Sequence, residues 1–215
     1  MAYEFPERAV VFIDGNNWYH SLRETGVASL RRLSYSRISQ KLVGRRRWSE
    51  TRYYIGALKQ DWNPAAYAAQ RAFLSLLPRD DPRITVHLGR LERRFHQNPL
   101  AAALLAALDD PRIQIPMPAR DDLGALAESY RSVETLKEKA VDIMLARDFL
   151  EYAAGDRLDV AYLLSADGDF TPIIESARRR GKKVYVASPG YSSQLQRVAT
   201  SFIRLDRHWF ADCYR

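Results

Sequence analysis

Two short apolar runs, each broken off by an acidic turn, constrain this chain more than any other feature. Ala9-Val10-Val11-Phe12-Ile13 stops at Asp14-Gly15, and Asp159 to Ser165 (DVAYLLS) stops shortly before Asp167-Gly168-Asp169. Such runs, without polar alternation, read as strands buried on both faces. A helix follows each turn: Asn16 or Asn17 can cap one running to about Glu24, and another leads from Asp169 to Arg180. Further strands are read at Thr51–Leu58, Arg83–Leu88, Lys183–Ala187 and, as a last edge strand, Phe202–Leu205. Further helices are read at Tyr35–Val43, from Pro64 (proline in a tolerated first-turn position), from about Val133 to Tyr152, and after a cap at Ser192 or Ser193. Strands alternating with helices predict an α/β fold: a parallel sheet with helices on both faces.

The length fits one domain over residues 1–215. Residues 89–130 hold a basic stretch, RLERRFH, an Ala/Leu helix and a proline-rich segment, and read as an insertion. The longest small-apolar run, Leu100 to Leu108, falls well short of the roughly 20 residues that cross a bilayer. No membrane partner is expected, and the N-terminus MAYEFPERAV lacks the apolar stretch of a signal peptide. A single cysteine, Cys213, excludes an internal disulfide and a cysteine metal cluster, which points to a reducing, cytoplasmic setting.

In open parallel sheets the working groups collect beyond the carboxyl ends of the strands, where strand order reverses. Asp14 follows one apolar strand, and Asp167 and Asp169 follow another. If those strands are neighbours, three carboxylates converge on one crevice. Asp142 adds a fourth: Leu145, Ala146 and Phe149 lie at helical spacing from it, which sets it on or beside an apolar face. Asp148 lies on a different face and is the weaker candidate. Carboxylates are hard oxygen ligands suited to Mg²⁺ or Mn²⁺. Held together, such ions activate water and neutralise a phosphodiester during in-line displacement. His20, His87, His96 and His208 are scattered without zinc spacing, and there is neither GxGxxG nor P-loop. Ser165 sits in no GxSxG elbow and is read as a supporting hydrogen-bonding residue that also borders the substrate.

Charge supplies a partner. The chain carries +7, and residues 176–215 hold nine basic residues against two acids, nine minus two being that whole +7. Arg178, Arg179, Arg180 and Lys182 form the densest cluster and are the expected grip on a nucleic-acid backbone. Arg45-Arg46-Arg47-Trp48 and Arg90–His96 are second-rank patches, with Trp48 or Phe95 as possible stacking residues.

The segments VVFIDGNNWYHSL (10–22), EKAVDIMLARDFL (138–150), YLLSADGDFTPIIESARRRGKKVYV (162–186) and SSQLQRVATSFIRL (192–205) together resemble the NYN domain, of the LabA-like kind, within the PIN-like nuclease superfamily. That resemblance spans most of the chain. It implies a three-layer Rossmann-like PIN fold and a metal-dependent ribonuclease, endonucleolytic in type, using Mg²⁺ or Mn²⁺. Position by position, Asp14, Asp142, Asp167 and Asp169 match the family's acidic residues, and Asn16 and Ser165 its polar supporting positions. The implied partner is RNA, single-stranded in preference, with a homodimer allowed. One departure stands out: many relatives carry an acid near the end where this chain has Thr200. The rival reading is a non-catalytic RNA-binding or scaffold module on the same fold. A HAD-like phosphohydrolase ranks below both, because its chemistry needs an acid where Asn16 stands.

Overall fold

The computed structural model describes residues 6–27 and 30–215; the N-terminal leader reading rests partly on residues 1–5, outside the described residues. The chain divides into two compact units, one of residues up to Arg90 together with Lys139–Arg215, the other Leu91–Glu138. Among the described residues, no helix is long and apolar enough to cross a membrane.

In the first unit, β1 (Arg8–Asp14) leads into α1 (Gly15–Glu24), α2 (Tyr35–Val43), β2 (Arg47–Ala57), α3 (Pro64–Asp80) and the start of β3 (Ile84–Gln97). The chain returns through α6 (Val141–Ala154), β5 (Val160–Leu164), a 3-10 turn at Gly168–Phe170, α7 (Thr171–Arg179), β6 (Lys183–Ser188), α8 (Ser193–Val198) and β7 (Ser201–Arg204). The second unit holds the outer part of β3, α4 (Pro99–Asp109), α5 (Met117–Ser129) and nearly all of β4 (Ser132–Lys139). Strand order is β4-β3-β2-β1-β5-β6-β7, and the pairs β1·β2, β1·β5, β2·β3, β5·β6 and β6·β7 are all parallel.

The apolar runs are continuous because both faces of the sheet are covered. Ala9, Val11 and Ile13 point into a core shared with Trp18 and Leu22 of α1, Ile38 of α2 and Leu77 of α3. Val10 and Phe12 point the other way, onto Leu145 and Phe149 of α6 and Ile174 of α7. Phe12 packs at 4.9 Å from Phe149 and edge-on to Tyr152 at 5.8 Å. Such aromatic pairs add about 0.5–1.5 kcal/mol each beyond area burial.

Two local readings are corrected. The helix expected from Val133 to Tyr152 is a strand and a helix, β4 and α6, separated at Ala140, whose φ of 68° is left-handed. Glu, Leu and Lys favour a helix there, but Val133 and Thr135 fall on one side of a period-two pattern that suits pairing along an edge. The cap of α1 is Asp14, not Asn16 or Asn17. The segment 89–130, read as an insertion, overlaps the second compact unit, Leu91–Glu138.

Gly15 is required by close approach. A Cβ there would lie 2.6 Å from the Tyr53 ring and 2.6 Å from the Tyr54 carbonyl oxygen. Gly15→Ala must therefore push β2 from β1, and we expect a loss of about 1–3 kcal/mol, read as a lowered midpoint in thermal melts.

Candidate active site

Strand order reverses between the parallel neighbours β1 and β5: the chain runs outward through β2 and β3 on one side and through β6 and β7 on the other. The crevice beyond the carboxyl ends of such a pair is where open α/β sheets bind ligands. In register, Ile13 faces Leu164, so Asp14 and Ser165 emerge side by side at that point.

Asp14 is 3% exposed. Its carboxylate accepts from the Asn17 backbone N–H at 3.3 Å, capping α1, and from the Ser165 hydroxyl at 3.0 Å. Ser165 Oγ in turn accepts from the Asp167 N–H at 3.1 Å, tying the two acidic turns through one hydroxyl. A second tie runs from the Ala166 N–H to Asn17 Oδ1 at 2.9 Å. The Asp167 carboxylate then accepts from the Asp169 N–H at 2.9 Å and caps the 3-10 turn.

Asp142 arrives from the opposite layer, in the first turn of α6. A helix N-terminus favours a negative side chain at that position. Val141 and Leu145 are buried beside it, while Asp142 itself reaches solvent. It is therefore at the edge of the apolar face rather than within it. Desolvation raises its pKa above the usual carboxylate range, and the charges of Asp167 and Asp169 push it the same way. Two acids on the β5 turn and one on α6 thus stand within electrostatic reach of each other. Among the described residues, no three His, Cys, Asp or Glu side chains are drawn together closely enough to hold a metal ion. The donors are nonetheless of the chemical kind a hard divalent cation takes: carboxylate oxygens, with Asp167 and Asp169 acting electrostatically on Asp142.

Other expected site residues lie differently. Asn16 is exposed, and the asparagine that organises the site is Asn17. Ser165 is fully buried, so it orients Asp14 rather than meeting a substrate. Arg178, Arg179 and Arg180 end α7, whereas the acids precede its first residue. A nine-residue helix spans roughly 13 Å, and α7 runs back to the amino end of β6. These arginines and Lys182 therefore belong to the opposite edge of the sheet. Arg178 donates to the Val198 carbonyl at 2.8 Å, and Lys182 pairs with Asp156 at 2.5 Å. The βαβ connection carried this signal in the sequence. Thr200 lies at that same far edge, its hydroxyl accepting from the Val184 N–H at 2.9 Å, so its missing charge does not touch the acids.

Trp48 is core, donating to Thr51 Oγ1 at 3.0 Å under the Arg83 guanidinium, and Arg46 is committed to Glu7, Tyr162 and Tyr185. Phe95, in the second unit, is exposed. Asp148 is buried in a network that spacing alone did not reveal: Arg52 donates to it at 2.7 Å and the Tyr54 hydroxyl at 2.9 Å. That network fastens β2 to α6, the helix that carries Asp142.

A mostly parallel α/β sheet with acids beyond the point where strand order reverses defines a Rossmann-type protein with a candidate acidic site. The NYN domain family model matches residues 8–206, and the chain belongs to that family, within the PIN-like nuclease superfamily. A stretch of 74 residues is 36% identical to an uncharacterised protein of Methanocaldococcus jannaschii, covering 34% of this chain and 31% of that protein. The match thus spans about a third of that relative's length. The fold is shared with a crystal structure of a protein of unknown function from Vibrio parahaemolyticus. That structure is 20% identical, with a TM-score of 0.58, covering 96% of this chain and 97% of that one.

Proposed function

We propose that this protein is a metal-dependent endoribonuclease acting on single-stranded RNA, with Asp14, Asp142, Asp167 and Asp169 as its catalytic acids. The observation that carries this reading is the Asp14–Ser165–Asp167 linkage at the sheet's reversal point, with Asp142 electrostatically coupled to the same turn. Family membership supports it independently.

Asp14, Asp142 and Asp167 are the residues that would hold Mg²⁺ or Mn²⁺, and the ion would stabilise phosphodiester charge and generate a nucleophilic water near neutral pH. The chain's own part is positioning. Ser165 and the Asn17 N–H fix the Asp14 carboxylate in one orientation, so little reorganisation is needed as charge develops. Asp169, exposed at the crevice mouth, would accept the proton of an attacking water. Desolvation and, after it, the charges of Asp167 and Asp169 raise the Asp142 pKa, and both penalties are offset when positive charge enters.

The test is cleavage of end-labelled single-stranded RNA. We expect internal cuts with Mn²⁺ or Mg²⁺ and none after chelation. Cleavage that survives chelation overturns the metal mechanism, and binding without any cleavage favours a non-catalytic module.

Backbone grip should follow the geometry rather than the charge count. Lys59, Arg204 and Arg207 sit just beyond or at the carboxyl ends of β2 and β7, on the edge that holds the acids, and all are exposed. Replacing these three by Ala should flatten the salt dependence of RNA binding by about 0.7 per lost phosphate contact on a single strand. Replacing Arg178, Arg179 and Arg180 should leave that slope unchanged and lower the melting temperature slightly. Equal slopes for the two triple variants would contradict this assignment.

A further inference from the structure

Beside the acids, a cleft of about 620 Å³ opens between α7 and α8. Its volume lies within the range of about 300–1,000 Å³ that small-molecule sites occupy. Pro172 and Val198 give it an apolar floor, Glu175, Gln194 and Arg197 supply polar groups, and Asp169 closes the end that meets the acidic turn. We propose that this cleft is a nucleoside subsite: it takes the base next to the cleaved RNA linkage and prefers bases that carry an amino group. The inference rests on the reading of the neighbouring acids as an RNA-cleaving site.

The chemistry of the walls selects the occupant. Unstacked bases bind by lying against flat apolar or guanidinium surfaces while their edges are read by hydrogen bonds. Arg197 is exposed and has neither an ion pair nor a hydrogen bond from its side chain among the described residues, unlike Arg178 and Arg180 nearby. Its planar guanidinium is free to stack on a base or hold the adjoining phosphate. Glu175 is exposed, and its ion-pair contact is a long one, 4.0 Å to Arg179. A carboxylate only accepts hydrogen bonds. Adenine, cytosine and guanine each offer an amino donor, whereas uracil offers one N–H between two carbonyl oxygens that the carboxylate repels.

The cleft is also joined to the site. A Cβ on Gly168 would collide with the Gln194 side-chain amide oxygen, so glycine between Asp167 and Asp169 is what lets Gln194 lie against the acidic turn. A base gripped by Gln194 and Glu175 therefore delivers its own phosphodiester toward Asp169.

The experiment uses short single-stranded oligonucleotides that differ in one base beside the cleaved linkage, assayed with Mn²⁺ for kcat and KM. Binding of the same oligonucleotides is measured by fluorescence anisotropy in chelator. Wild type should favour amino-bearing bases over uridine by about tenfold in kcat/KM. Glu175→Gln, which adds a donor, should shrink that preference to within roughly threefold. Arg197→Ala should raise KM about tenfold for every base with kcat little changed, and Arg180→Ala, whose side chain bonds to Ser176 of α7, should behave as wild type. Cleavage without base preference, or a preference untouched by Glu175→Gln, overturns the subsite and leaves the nuclease reading standing. Binding with a Glu175-dependent preference but no cleavage overturns the nuclease reading and supports the subsite.

Discussion

Asp14→Asn is expected to abolish RNA cleavage while leaving the fold intact. Asparagine is as good a helix cap as aspartate: its amide oxygen can still accept from the Asn17 N–H, and its amide N–H can donate to Ser165 Oγ once that hydroxyl turns. What disappears is the negative charge at the sheet's reversal point. A metal or water positioned there contributes several kcal/mol of transition-state stabilisation; at 1.36 kcal/mol per decade, the rate should fall on the order of 10³-fold. Ser165→Ala removes only the hydroxyl that orients Asp14 and links it to Asp167, so its effect should be smaller, about 10–100-fold. Single-turnover cleavage rates with matched melting temperatures check both. Full activity in Asp14→Asn would remove the residue from the chemistry.

Asp148→Ala is expected to have the largest effect on stability. The Asp148 side chain is 5% exposed and its partner Arg52 14% exposed. Arg52 also donates to the hydroxyls of Tyr54 and Tyr152 and pairs with Glu50 at 3.2 Å. Removing one partner of a buried pair costs about 3–5 kcal/mol; because Glu50 remains, the lower end is expected. At about 2–4 °C per kcal/mol for a chain of this size, the midpoint should drop by roughly 10 °C. Burial works to raise the pKa of Asp148, but hydrogen bonds from Arg147, Arg52 and Tyr54 outweigh it and hold the carboxyl below its usual value. A depressed carboxyl contributes stability that is present above its unfolded pKa of about 3.9 and is lost as pH falls through the native one. Below about pH 4, the wild-type melting temperature should therefore fall more steeply than that of Asp148→Ala. Parallel acid limbs would show that the pair contributes nothing to the pH dependence.

Much of this was legible in the residues. The doubly buried strands announced themselves because β1 feeds two cores at once, Val11 and Ile13 into one and Val10 and Phe12 into the other. Ser34 caps α2 and Pro64 opens α3 by local chemistry alone, so those helices begin where the sequence says. Acids at strand ends were visible because strand ends are. The rest needed geometry. Whether β1 and β5 are neighbours is a matter of strand order, and without it neither Ser165 nor Asn17 can be seen to hold the two turns together. The Arg52–Asp148 pair joins residues far apart in the chain and leaves no periodic trace. Counting charge gave Arg178–Arg180 too much weight, since a count does not say to which end of a helix the charge belongs. Between Val133 and Ala140, strong helix formers masked an edge strand whose pairing is tertiary.

Thermal melts of wild type and Asp142→Asn, each with and without Mn²⁺, test most directly whether the acids form one cation-binding centre. Desolvation first, and then the charges of Asp167 and Asp169, raise the Asp142 pKa, so its charge is unfavourable in the native protein until a cation neutralises it. Such a carboxyl contributes stability below its unfolded pKa and loses it as pH rises through the native one, so at neutral pH its removal should not destabilise. Asp142→Asn should melt at the wild-type temperature or above it in the absence of metal. Saturating Mn²⁺, worth about 2.7 kcal/mol at a hundredfold excess over Kd, should raise the wild-type midpoint by roughly 5–10 °C and the variant's by much less. A variant that is strongly destabilised without metal, yet gains as much from Mn²⁺ as wild type, would contradict a shared centre.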